Sequence, residues 1–196
     1  MPTELTAVCV FCGCNRGAHP RYQRAAESTG RLLAGRGIAL VYGGAQSGLM
    51  GAVADAALTA GGTVIGVLPR GMASREPPHE RLSELILVDT MHERKALMAD
   101  RSDAFLALPG GLGTLEEAAE TISWNQLGLH AKPTGFLNIG GFFDPLRAQF
   151  DHMVDEAFVL PEHRAGIHFD DRPERLLELL AGFDPPRAHK WIDQGP

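Results

Sequence analysis

Gly110, Gly111, Gly113 and Thr114 lie together in one short stretch, and two carboxylates, Glu116 and Glu117, follow at once. Glycines let a backbone come close to a ligand, and the free N–H groups in a helix's first turn attract an anion. Before the stretch comes an apolar run, 104–108, with strand character. After it, Leu115, Ala118, Ala119 and Ile122 recur at the three-and-four spacing of one helix face. A strand therefore empties into a glycine turn that opens a helix, which is a seat for a phosphate. Arg94 and Lys95 stand on the segment preceding that strand and can reach the same edge. A carboxylate at Glu117, sharing a helix face with Thr121 and Trp124, suits two tasks beside a phosphorylated ribose: stabilising a cationic sugar, or activating water.

Each of these residues also has a purely structural reading. Thr114-Leu115-Glu116-Glu117 fits a capping box, in which a threonine at the N-cap and a glutamate three residues on satisfy each other's backbone N–H groups. Acidic residues also favour a helix N-terminus on dipole grounds alone. Arg94 and Lys95 could be solvated surface. A second glycine-rich turn, 43–51, could be a ligand contact or simply a tight strand-to-helix turn.

Common cofactor signatures are absent. The first strand exits through Gly13-Cys14-Asn15-Arg16-Gly17, which lacks dinucleotide glycine spacing, and neither glycine loop ends in the Gly-Lys-Ser/Thr of a P-loop. There is no metalloprotease helix and no Gly-x-Ser-x-Gly elbow. Only Lys95, Lys132 and Lys190 are present, which disfavours pyridoxal phosphate. Cys9, Cys12 and Cys14 have no clear fourth metal ligand nearby and read as reduced thiols. A net charge of −6 with scattered basic residues gives no nucleic-acid footprint. No apolar run reaches membrane-spanning length, and the opening Met1-Pro2-Thr3-Glu4 lacks the pattern of a secretory leader. A cytoplasmic protein without a cofactor is the expectation.

The elements that must position these residues alternate along the chain. Strands are expected at 6–11, 38–42, 63–68, 85–88, 104–108, 133–139 and 167–169. Helices are expected from Pro20 to the stop at Gly35 and Gly37, up to Ala60, over 91–100, after the glycine turn, over 144–158 and over 173–180. A loop with a short helical turn fills 69–83. This order predicts an α/β fold: a single Rossmann-like domain over 1–185, with a mainly parallel sheet and helices on both faces. Residues 186–196 read as a loose tail. Such sheets bind ligands at the carboxyl ends of their strands, where both glycine turns lie.

The nonapeptide 109–117 resembles the Pro-Gly-Gly-x-Gly-Thr-x-x-Glu signature of the LONELY GUY family, the cytokinin riboside 5′-monophosphate phosphoribohydrolases. Met91-His92-Glu93-Arg94-Lys95 is similar to the family's Met-His-x-Arg-Lys segment, and 42–51 to its Tyr-Gly-Gly-Gly-x-x-Gly-Leu-Met-Gly turn. The likeness spans roughly 8–180. It implies hydrolysis of the N-glycosidic bond of an N6-modified adenosine 5′-monophosphate by a homodimer without a cofactor. Arg94 and Glu117 would be catalytic. Gly110, Gly111, Gly113 and Thr114 would hold the phosphate, and Gly44, Ser47, Glu76, Met91, Lys95, Leu115 and Glu116 would be further substrate contacts. Ala45 replaces a usual glycine, and Cys14-Asn15 replaces usual serines. Two other readings stand beside this one: a general AMP or purine nucleoside-monophosphate hydrolase, and a non-catalytic carrier of molybdenum cofactor.

Overall fold

Strand residues alternate between the two faces of a sheet, so a run that is apolar at every position must be covered on both sides. In β1 (Ala7–Phe11), Val8 and Val10 pack into one hydrophobic cluster while Cys9 and Phe11 pack into the other. The same division holds in β5 (Ala104–Ala107), where Leu106 faces the first cluster and Phe105 and Ala107 the second. The computed structural model describes residues 4–185 apart from Arg75. The tail expected over 186–196 lies outside them.

The sheet has seven strands, with β2 (Ala39–Tyr42), β3 (Val64–Pro69), β4 (Glu84–Val88), β6 (Thr134–Leu137) and β7 (Ile167–Asp170) completing the order β4-β3-β2-β1-β5-β6-β7. Every pairing is parallel. The chain builds outward from β1 to β4, then crosses back to lay β5 on the other side of β1. That reversal is the topological switch point, and ligands bind in the crevice it leaves at the carboxyl ends of the strands.

Helices α1 (Pro20–Gly35), α2 (Gly48–Thr59) and α7 (Pro173–Ala181) supply the first cluster. Helices α3 (Met91–Asp100), α4 (Leu112–Gln126) and α5 (Asp144–Asp155) supply the second. The expected two-sided parallel α/β architecture is the one observed. Among the described residues, no helix is long and apolar enough to cross a membrane.

Three local expectations need correction. Helix α5 stops at Asp155 rather than at Phe158: the chain reverses at Ala157, with φ +59, and leaves Phe158 84% exposed. A short helix α6 (Pro161–Ala165) then appears that hydrophobic periodicity could not signal, being only five residues long. Helix α4 begins three residues earlier than a Thr114 cap would require, because Gly111 in extended conformation is its N-cap and accepts the Leu115 N–H at 3.2 Å.

The closest helix packing falls on α1 and α2. A Cβ at Gly30 would lie 2.2 Å from the Val53 carbonyl oxygen, so no side chain fits there. Gly35, at the end of the same helix, has nothing within 4 Å. Opposite outcomes are expected from one substitution at the two positions. Gly30→Ala should lower stability by about 1–3 kcal/mol through overpacking, despite the better helix propensity of alanine. Gly35→Ala should be neutral or raise it by about 0.5–1 kcal/mol. Denaturant midpoints of the two variants check this, and equal shifts would refute it.

Candidate active site

The carboxyl ends of β1, β2 and β5 are sewn together by backbone contacts. Gly13 after β1 donates its N–H to the Pro109 carbonyl after β5 at 3.2 Å, and Leu49 in α2 donates to the Gly13 carbonyl at 2.9 Å. Gly48, with φ +62, sits so close to Cys14 that a Cβ would lie 2.2 Å from its carbonyl. Beyond this joint opens a cleft of about 280 Å³, walled by 12–14, Met50, Met72, Glu76, Met91, Arg94, 111–114, Glu116 and Glu117.

Helix α3 brings one charge into it. Thr90 caps the helix by accepting the Glu93 N–H at 3.1 Å, and Glu93 reaches back to the Asp89 N–H at 2.9 Å. This fixes the inward face on which Arg94, Lys95 and Met98 are buried. The Arg94 side chain enters the edge of the sheet: Nε donates to the Val67 carbonyl at 3.1 Å and Nη2 to the Gly43 carbonyl at 3.3 Å. A Cβ at Gly43 would lie 2.0 Å from Nη2, so any side chain there would displace the guanidinium from this position. The third nitrogen, Nη1, donates to Met91 Sδ at 3.8 Å and lies 3.8 Å from Glu117 Oε1.

Helix α4 brings the opposite charge. With Gly111 as N-cap, Thr114 is inside the first turn, buried over Gly110, where a Cβ would lie 2.1 Å from its Oγ1. The capping-box reading of Thr114 and Glu117 is therefore overturned: Glu117 lies nearly two turns into the helix and cannot reach back to the cap. Its carboxyl group, 13% exposed, is pushed up to about 7 from an ordinary 4.5. Burial is the main cause; Arg94 opposes it, and Glu116 adds to it. A carboxyl poised near neutrality beside a fixed cation is the arrangement that general acid–base work requires.

The remaining expected site residues divide. Glu76, Met91, Gly111, Gly113, Thr114 and Glu116 line the cleft with Arg94 and Glu117. Gly110 lines an adjoining cavity of about 160 Å³, together with Gly13, Tyr22 and Phe142. Gly44 is buried against Leu68 and Val67, while Ser47 is exposed as the N-cap of α2; neither lines the cleft. Leu115 packs into the second cluster. Lys95 is engaged with Glu116 at 2.5 Å and Glu120 at 3.0 Å.

Cys12, Met50, Met72 and Leu112 line the cleft although none of them was expected as a substrate contact. Only the tertiary fold gathers them, since they come from four separate segments. The three cysteines do not converge, because Cys9 and Cys12 belong to opposite hydrophobic clusters and Cys14 is exposed. Among the described residues, no group of three or more His, Cys, Asp or Glu is placed to hold a metal ion.

Known proteins share this arrangement of chain. The family model described as "possible lysine decarboxylase" matches residues 50–180. A cytokinin riboside 5′-monophosphate phosphoribohydrolase of Oryza sativa subsp. japonica is 50% identical over 196 residues, covering 99% of this chain and 81% of the relative. One from Arabidopsis thaliana is 46% identical over 183 residues, 93% of this chain and 86% of the relative. Among solved structures, the molybdenum cofactor binding protein of Rippkaea orientalis matches with a TM-score of 0.68 and 25% identity, over 90% of this chain and 95% of that one.

Holding Glu117 partly dry has a measurable consequence. From about pH 4.5 to about 7 the folded chain keeps a proton on Glu117 that the unfolded chain releases. Stability therefore falls as pH rises through that window, and the whole cost is present above it. Between about pH 5.5 and about pH 8 this amounts to roughly 2 kcal/mol. Glu117→Gln, which mimics the protonated form, should be the more stable protein at about pH 8 and should lose this part of the pH dependence. Urea denaturation at both pH values checks it; parallel slopes in the two proteins would refute the elevated proton affinity.

Proposed function

We propose, from the premise that this chain belongs to the LONELY GUY family of cytokinin riboside 5′-monophosphate phosphoribohydrolases, that it hydrolyses the N-glycosidic bond of N6-modified adenosine 5′-monophosphates to the free base and ribose 5-phosphate. The observation that carries this is the pairing of a buried Arg94 with a near-neutral Glu117 at 3.8 Å, beside the N-terminus of α4. The free N–H groups of Leu112, Gly113 and Thr114 suit a 5′-phosphate, since helix N-termini favour anions. With the phosphate there, the ribose is brought towards Glu117.

The chemistry follows from those positions. The bond from C1′ to the base breaks and its electron pair leaves with the base. Water adds to C1′, and the proton that water loses ends on the base. Glu117 in its ionised form stabilises the positive charge developing on the ribose and takes the proton from the attacking water. Arg94 polarises the substrate through Nη1, its position fixed by the carbonyls of Val67 and Gly43. Met50, Met72 and Met91 supply flexible apolar surface on the cleft wall. None of these steps calls for a cofactor or a metal.

We further infer a homodimer acting in the cytoplasm on this small-molecule substrate, with no nucleic acid or membrane as partner. Two features support the dimer: Leu112 is 85% exposed and Met91 39% exposed at the mouth of the cleft, apolar surface that a second copy would cover. The free state of Cys9, Cys12 and Cys14 supports a reducing compartment.

Incubation with isopentenyladenosine monophosphate, its riboside and AMP should release free base from the modified monophosphate in preference to the other two. kcat/KM should rise with pH through a midpoint of about 7 as Glu117 ionises. Glu117→Gln should cost roughly 10²–10⁴-fold in kcat while the protein stays folded. Equal release from AMP would favour a general nucleoside-monophosphate hydrolase. Tight nucleotide binding without release of any base would favour the carrier reading, for which the likeness to the Rippkaea orientalis structure is the supporting observation.

A further inference from the structure

Lys95 adjoins Arg94 on the buried face of α3, yet the two side chains have different destinations. Arg94 reaches the cleft, whereas Lys95 does not line it. The Lys95 ammonium, 9% exposed, lies 2.5 Å from Glu116 Oε1 and 3.0 Å from Glu120 Oε2, successive positions on one face of α4. Glu116 does line the cleft. We propose that Lys95 is a positioning residue and not a substrate contact: it neutralises Glu116 beside the phosphate seat and clamps the first turns of α4, and so Glu117, against α3.

Electrostatics gives the reason. The N-terminus of α4 attracts an anion, but an uncompensated carboxylate at Glu116 would repel a phosphate arriving at the same turn. The groups that face Glu117 are Arg94 and Lys95 from α3, Glu116 on its own helix, Glu76 from the loop after β3, and the thiols of Cys9 and Cys12 along and just beyond β1. Two of these six are cations, and Lys95 is the one whose hydrogen bonds go to α4. Burial opposes the charge on Lys95, but its hydrogen bonds to Glu116 and Glu120 outweigh this and hold its proton more tightly than usual. It is therefore a permanent cation across the working range. Without it, Glu117 would face Glu116 with less compensating positive charge and keep its proton to higher pH.

The assignment rests on the reading that Glu117 acts at the ribose of a nucleoside monophosphate, and two readouts separate the two claims. The first is the pH profile of hydrolysis; the second is binding of ribose 5-phosphate, measured by calorimetry, which needs no turnover. Lys95→Met should lower kcat by roughly tenfold or more through misplacement of Glu117. It should also move the midpoint of the pH profile upward by about half a unit. A second variant, Lys95→Met/Glu116→Gln/Glu120→Gln, carries no unpaired charge in that layer and guards against simple misfolding. It should return the midpoint to its original place and bind ribose 5-phosphate within about threefold of the unsubstituted protein. If the triple variant still binds ribose 5-phosphate about tenfold more weakly while Glu116→Gln/Glu120→Gln, which keeps Lys95, binds it normally, Lys95 touches the phosphate and the proposal is overturned. An unmoved midpoint in Lys95→Met would overturn it equally. Loss of base release in the unsubstituted protein would strike the functional reading instead, and the binding comparison would still decide the role of Lys95.

Discussion

A guanidinium buried at the carboxyl edge of a parallel sheet is the constraint on which this site depends. Arg94 is only 6% exposed, and a cation so placed has to find acceptors or be very costly to bury. The fold supplies them from backbone, through the Val67 carbonyl near the end of β3 and the Gly43 carbonyl after β2. Both acceptors are products of the strand order, since β2 and β3 are neighbours whose register pairs Tyr42 with Gly66 and so carries Gly43 alongside Val67. The absence of a side chain at Gly43 follows directly, and so does the orientation of α3, which the Thr90 cap sets. A single charged side chain therefore couples the glycine turn, the sheet edge and the helix angle.

The Arg94–Glu117 pair draws its character from its spacing. At 3.8 Å the two groups attract one another without a closed hydrogen bond, so each keeps capacity for a third party. Burial raises the proton affinity of Glu117 more than Arg94 lowers it, which leaves the carboxyl near neutrality rather than locked in its ionised form. A tight pair would have been more stable and of less chemical use. One residue away, Lys95 does form short contacts to Glu116 and Glu120. Neighbouring residues on one helix thus make one open ion pair towards the cleft and one closed set between helices.

The alternation of apolar runs and amphipathic segments made the parallel sheet legible, because burial on both faces leaves strands nearly continuous in apolar residues. The glycine turns were legible for a different reason: a strand followed by several glycines and a helix has few other folds available. What the sequence could not settle is illustrated by two Thr-x-x-Glu stretches. Thr90 and Glu93 form a working cap, whereas Thr114 and Glu117 do not, although the letters agree. The difference lies upstream. Gly111 can take the extended cap conformation itself and starts α4 before Thr114, moving Glu117 from the cap to the cleft wall. Gly44 and Ser47 likewise share a turn with Met50, but only Met50 lines the cleft, since facing depends on where the turn ends and α2 begins. Residues such as Cys12 and Met72 carried no signal, because nothing local distinguishes a cleft wall from a core.

The buried charges of the site come from the α3–α4 side of the sheet, although Cys12 and Met50 of the first cluster complete the cleft wall. The α1–α2 side is packed so closely that Gly30 leaves no room for a methyl group. The α3–α4 side carries Arg94, Lys95 and Glu117 at or near burial, an arrangement that on its own disfavours folding above neutral pH. The shared strands connect the two: β1 sends Val8 and Val10 to the quiet side and Cys9 and Phe11 to the charged one. Apolar burial on both faces therefore offsets the electrostatic cost of the charged site. A protein that only holds its ligand needs a phosphate seat and a closed cleft. A carboxyl kept largely buried and near neutrality beside an arginine suits acid–base work more than holding a ligand, and this supports the catalytic reading over the carrier one.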